Sequence, residues 1–140
     1  MVRVMASGVF DILHTGHISY LEQAKAMGDE LYVVVACDDT VRKRKHEPIT
    51  PENMRLKIVS SLKVVDKAIL GNRGGDIYSI LETVRPDIIV LGYDQTFDEK
   101  GLEKDLRSKG YDIRVRRASE SAEDLEATRK IVKRIQERVE

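Results

Sequence analysis

The sequence predicts an α/β protein of three layers, an open parallel sheet of about five strands with helices on both faces. Apolar runs rich in β-branched residues recur at 2–6, 31–36, 64–70, 88–92 and 113–115, and runs without polar alternation are the habit of strands buried on both faces. Between them lie stretches of helical period, long enough to serve as crossovers. A sustained β-α alternation of this kind, joined by right-handed connections, gathers its loops at the carboxyl edge of the sheet, where ligands bind.

Each element has its own signals. Residues 2–6 form the first strand, and a helix follows with Ile18, Leu21 and Ala24 on one face, Thr15 as its N-cap and Gly28 as its stop. After the strand 31–36, Asp38-Asp39-Thr40 opens a short helical turn that runs into Arg42-Lys43-Arg44-Lys45-His46. Thr50 caps the next helix with Pro51 at its first position, and Met54, Ile58 and Leu62 make its packed face, so that Arg55 points elsewhere. The strand 64–70 leads into a Gly-rich loop at 71–75, and Asp76 caps a helix through residue 84 that stops before Pro86. The run 88–92 is the clearest strand. A helix over about 98–109 stops at Gly110, and the strand 113–115 follows. A last helix spans 121–140, capped by Ser121, with Leu125, Thr128, Val132, Ile135 and Val139 on one face; its acids lie early and its bases late, as the macrodipole favours. The whole is a doubly wound, Rossmann-like arrangement.

The chain has 140 residues, which fits one domain, 1–140, able to bury roughly two-thirds of its unfolded surface. Its one cysteine rules out an internal disulfide, and no apolar segment approaches signal-peptide or membrane-span length. A reducing, cytoplasmic setting is expected. Lys plus Arg and Asp plus Glu each number 24, so no overall field recruits nucleic acid or an anionic membrane. Attraction to phosphate must be local.

That local attraction belongs to Ser7-Gly8-Val9-Phe10-Asp11-Ile12-Leu13-His14-Thr15-Gly16-His17. A loop between strand and helix start presents first-turn N–H groups and the positive end of the helix dipole, an arrangement that attracts phosphate. His14 and His17 add ring donors beside it. Zinc is the rival chemistry, but Cys37 stands alone and no ligand cluster has the usual spacing. Asp11 has an orienting role in the loop, and Asp38 is a candidate for a ribose or a metal.

Gly8-Val9-Phe10-Asp11-Ile12-Leu13-His14-Thr15-Gly16-His17 resembles the signature of the cytidylyltransferase-like nucleotidyltransferases. Within that family, Gly92-Tyr93-Asp94-Gln95-Thr96-Phe97-Asp98-Glu99 is similar to the archaeal-type FAD synthases rather than to the glycerol-3-phosphate cytidylyltransferases, which tend to carry G-D-D-W there. The resemblance extends to Pro48-Ile49, Val65 to Gly71 and Arg85 to Gly92. It implies transfer of AMP from ATP to FMN, giving FAD and pyrophosphate, with a divalent metal, Mg2+, riding on the nucleotide phosphates. Two alternatives stay open: a glycerol-3-phosphate cytidylyltransferase using CTP, and a non-catalytic nucleotide-binding module.

By the same resemblance, His14, His17 and Lys45 are catalytic. Val9, Phe10, Asp11, His14, Gly16, His17, Gly92, Asp94, Gln95, Arg117 and Ser119 bind the nucleotide, with Asp94 and Gln95 facing the nucleoside. Asp38, Arg55 and Thr128 meet the acceptor. The tail departs from the family pattern: the aligned Ser pair is Ala127-Thr128, and a helix capped at Ser121 sets Thr128 on its packed face. Pairing into a homodimer, with surface near the second helix and residues 46–60, completes what the resemblance implies.

Overall fold

The computed structural model describes residues 1–44, 47–74, 76–120 and 128–139. Five parallel strands, β1 (Arg3–Gly8), β2 (Glu30–Val35), β3 (Lys67–Leu70), β4 (Ile88–Leu91) and β5 (Arg114–Arg117), lie in the order β3-β2-β1-β4-β5. The helices are α1 (Thr15–Ala26), α2 (Asp38–Arg44), α3 (Glu52–Ser60), α4 (Ile77–Val84), α5 (Glu99–Ser108) and α6 (Thr128–Arg138). The expected three-layer, open parallel sheet is therefore the fold.

Alternation along the strands divides the core between the two faces. Val4, Ala6, Leu31, Val33, Val35 and Val90 pack with Leu21 and Ala24 of α1 and Val59 of α3. Met5, Val34, Ile89, Leu91 and Val115 pack with Ile80, Leu81 and Val84 of α4 and Leu106 of α5. The N-terminal edge is closed by aspartates. Asp29, Asp66 and Asp87 each accept a neighbouring strand's N–H, from Val2, Leu31 and Arg3, at 2.7–2.8 Å. The chain leaves β1 toward β2 and β3 on one side and reaches β4 and β5 on the other, so the order reverses between β1 and β4. A crevice opens there at the carboxyl ends.

Several local expectations give way. The α1 cap is His14, not Thr15. Gly28 is not a left-handed stop; a Cβ on it would lie 2.7 Å from Val4 Cγ2 and 2.8 Å from the Val2 carbonyl, so close approach to β1 demands glycine. Gly110, at φ +91°, does end α5 as expected. In α3 the N-cap falls on Pro51, whose ring carries no acceptor, and the Thr50 hydroxyl expected to cap turns to Asp11 instead. Of the face expected to pack, Leu62 does so, but Met54 is 50% and Ile58 37% exposed, whereas Arg55 is 0% exposed. Residues 64–65 belong to a turn ahead of the edge strand β3, closed by Val65 N–H to Leu62 O at 3.1 Å. The edge strand β5 extends through charged Arg116 and Arg117, since its ladder with β4 runs from Arg114 to Arg117. The expected cap at Ser121 and the packed residue Leu125 lie outside the described residues.

Candidate active site

A cleft of about 650 Å³ lies at the β1/β4 crevice, lined by the 7–20 segment, Gly92 to Gln95, Ala118 and Ser119, Val41, Ile49 and one stripe of α6. Its floor is the loop after β1. Phe10 and Ile12 both adopt left-handed backbone, at φ 56° and 54°, a strained state for residues with a Cβ and one that clusters at functional sites. The turn buries Phe10 at 4% and Asp11 at 5% exposure.

His14 and His17 form the reciprocal cap of α1. His14 Nδ1 accepts the Gly16 N–H at 3.1 Å, and His17 Nδ1 accepts the His14 N–H at 3.2 Å. Imidazoles thus fill both roles of a capping box, in place of the usual hydroxyl and carboxamide. The rings stack with centroids 3.8 Å apart, and Phe10 packs on His17 at 5.3 Å. Because each Nδ1 is an acceptor, the neutral rings carry their protons on Nε2. The N–H groups of Gly16, His17 and Ile18 are engaged by His14. Three amides that the sequence led one to expect facing an anion, those of Gly16, His17 and Ile18, are thus already bonded within the cap.

Asp11 ties the loop to its surroundings. Its carboxylate accepts the Ile49 N–H at 2.8 Å, the Thr50 N–H at 2.9 Å and the Thr50 hydroxyl at 2.6 Å. Its carbonyl accepts the Thr128 hydroxyl at 2.7 Å. Burial alone would raise this carboxyl, but the Thr50 hydroxyl, the two N–H groups and the nearby Arg55 outweigh it and hold it below the ordinary value. Thr128 therefore meets the signature loop and lines the cleft.

Two expected site residues lie beneath the cleft rather than in it. The Arg55 guanidinium donates to Thr50 O at 3.0 Å, Val9 O at 2.8 Å, Ala36 O at 2.7 Å and Asp38 Oδ1 at 2.6 Å. A buried arginine is tolerable when its donors are satisfied this fully. The expected acceptor contact through Arg55 and Asp38 is corrected to a brace that gathers the ends of β1 and β2.

Arg117 is a second brace. Its Nε pairs with Glu99 at 2.6 Å, one terminal nitrogen donates to Gly92 O and Gln95 O at 2.8 Å each, and the other to Phe97 O. It holds the 92–97 loop and does not line the cleft. The Gln95 amide is likewise engaged, accepting the Gly92 N–H at 3.0 Å and donating to Ser7 O at 3.2 Å, which joins the ends of β1 and β4. Asp94 is exposed on the cleft wall, while Val9, Gly16, Gly92 and Ser119 line it as expected. Lys45 lies outside the described residues.

Among the lining residues that sequence reasoning did not assign to the site are Tyr20, Arg129, Lys133 and Gln136. The Tyr20 hydroxyl donates to Val90 O at 2.5 Å, with Ser7 O farther off at 3.3 Å, and accepts the Ser7 N–H, clipping β1 to β4, and burial drives its phenol well above the usual range. Arg129, Lys133 and Gln136 line the cleft from α6, although the charges of Arg129 and Lys133 had an adequate explanation in the helix dipole. The spacing of Thr128, Val132 and Gln136, one helical stripe, was the signal available. Among the described residues no three His, Cys, Asp or Glu side chains come together to hold a metal, and no helix is long and apolar enough to cross a membrane.

Comparison with known proteins shows what the chain is similar to. A FAD synthase of Aciduliprofundum boonei is 54% identical over 141 residues, covering 100% of this chain and 94% of that protein. A FAD synthase of Archaeoglobus profundus is 55% identical over 137 residues, covering 96% of this chain and 86% of that one. A solved Thermoplasma volcanium structure, described as a lipopolysaccharide core biosynthesis protein, superposes with a TM-score of 0.83 at 53% identity, covering 86% of this chain and 98% of its own. With residues 5–138 matching the family model, the chain belongs to the cytidylyltransferase-like family.

Proposed function

We propose that this protein is an FMN adenylyltransferase, making FAD and pyrophosphate from ATP and FMN. The observation that carries the choice of substrates is likeness to FAD synthases at 54% and 55% identity over 100% and 96% of the chain. The Thermoplasma volcanium structure is described by a different role, lipopolysaccharide core biosynthesis, and supports the fold rather than the choice of substrates. The reaction is carried by one domain in the cytoplasm.

An oxygen of the FMN 5′-phosphate attacks the α-phosphorus of ATP. A new P–O bond forms, the bond from the α-phosphorus to the α,β-bridging oxygen breaks, and pyrophosphate leaves with that electron pair. The acceptor is already ionised, so the protein's work is alignment and positive charge. His14 and His17 donate from Nε2 to the triphosphate, in rings held by their own reciprocal cap. Lys45 adds a cation there, and Arg129 and Lys133 add charge from α6. Val9, Phe10 and Gly16 shape the loop around the nucleotide, with Asp94 and Ser119 beside the nucleoside. Asp11, Gln95 and Arg117 hold the walls. Among the described residues no donor set fits a protein-built metal site; the divalent cation is assigned to the nucleotide and none of these steps is routed through it.

The test is pyrophosphate release with magnesium, crossing ATP and CTP against FMN and glycerol 3-phosphate. Turnover is expected with ATP and FMN alone, and His17→Ala should lower kcat by about 10²–10³. Turnover with CTP and glycerol 3-phosphate would overturn the reading. The same reading pairs two copies through the exposed Met54 and Ile58 face of α3; a single-chain mass by light scattering would remove that part of it.

A further inference from the structure

Ile49 is a large apolar residue left 56% exposed, yet its backbone is among the most firmly held in the molecule. Asp11 grips its N–H and both donors of the next residue, and Arg55 holds the Thr50 carbonyl from below. Val9, half-buried in the same cleft, is held through its carbonyl by Arg55 at 2.8 Å. Val132, also half-buried and lining the cleft, stands one helical turn after Thr128, whose hydroxyl is bonded to Asp11. The backbone of two of these segments is thus held by the Asp11 carboxylate and Arg55, and the third, α6, meets the same loop through the Thr128 hydroxyl on the Asp11 carbonyl. Apolar surface held rigidly in the open is unfavourable in water unless a ligand covers it.

Resting on the adenylyltransferase reading, we propose that Val9, Ile49 and Val132 form the slot that receives the flavin ring of the acceptor, and that Ile49 and Val132 determine specificity for it. A flavin offers a broad, flat, mostly apolar face, which matches aliphatic side chains presented by rigid backbone. A polyol phosphate such as glycerol 3-phosphate has no surface to cover them. Asp11 and Arg55 act as positioning residues for the slot, since their bonds run to the backbone that carries it. Val9 belongs to the loop that also carries the His14–His17 pair, so the slot adjoins the nucleotide at Val9, and Ile49 and Val132 are the positions at which it is tested.

The experiment uses Ile49→Ser and Val132→Thr, the first at an exposed position and the second close to isosteric, with thermal melting as the check on folding. FAD formation is followed with each substrate varied, and FMN binding is measured directly by quenching of flavin fluorescence. Lumichrome, the alloxazine tautomer of the flavin ring without the ribityl phosphate, serves as a competitor. For Ile49→Ser the expected result is a rise of about tenfold in KM and Kd for FMN, with KM for ATP within twofold and inhibition by lumichrome weakened to match. Val132→Thr should move the same constants in the same direction. FAD formation with KM for FMN unmoved, or with both KM values rising together, would overturn the slot alone. Failure of the unaltered protein to form FAD would overturn the functional reading, and the slot with it.

Discussion

Asp11 is 5% exposed and takes three donors from residues 49–50 on its carboxylate, while its carbonyl receives Thr128. From the sequence it is one more aspartate in a turn; only the meeting of segments 38 and 117 positions away in the chain makes it a hub. Its depressed folded value has a definite sign. The carboxylate's stabilisation is present in full above pH about 4 and is lost as pH falls through the lower folded value. Asp11→Asn should therefore flatten the acid limb of stability measured by urea unfolding between pH 3 and pH 6, and should cost about 1–3 kcal/mol at pH 7 by leaving buried donors poorly matched. An unchanged acid limb in the variant would contradict this account. His14 and His17 illustrate the opposite case. Their place at a strand-to-helix junction was visible in the sequence, but their mutual capping and the resulting Nε2 tautomers depend on side-chain geometry.

At the scale of elements, α3 and the 92–97 loop show where pattern reading fails. Met54, Ile58 and Leu62 offer a convincing apolar stripe, yet the helix turns Arg55 and Val59 inward, because the carbonyls of Val9 and Ala36 at the strand ends need a donor that Arg55 supplies. Hydrophobic periodicity cannot register a buried charge whose partners are distant backbone groups. The 92–97 loop is held in the same manner by Arg117. Arg117→Ala should release it and lower kcat/KM for ATP by roughly ten- to a hundredfold, since small misplacements of a binding wall are costly. Steady-state kinetics with ATP varied checks this, and a loss confined to FMN would place Arg117 on the wrong side of the cleft.

The whole molecule rests on one sheet shared by two apolar layers. Leu21 is 0% and Leu81 1% exposed, on opposite faces. Alanine at either should cost about 2–5 kcal/mol, and both variants should unfold in urea as single transitions coincident by tyrosine fluorescence and circular dichroism; separate transitions would mean that the layers are independent. The alternation of strands and helices, the parallel sheet and the position of the histidine loop at its carboxyl edge were all determined by the sequence alone. Those features follow from local periodicity and from the handedness of crossovers, which operate on neighbouring residues. The tertiary structure decided which polar residues face the cleft and which brace it from behind: Asp38, Arg55 and Arg117 withdrew into braces, while Tyr20, Arg129, Lys133 and Gln136 came forward. A side chain's partner is set by where distant strand ends and helices meet, and no local pattern in the chain encodes that meeting.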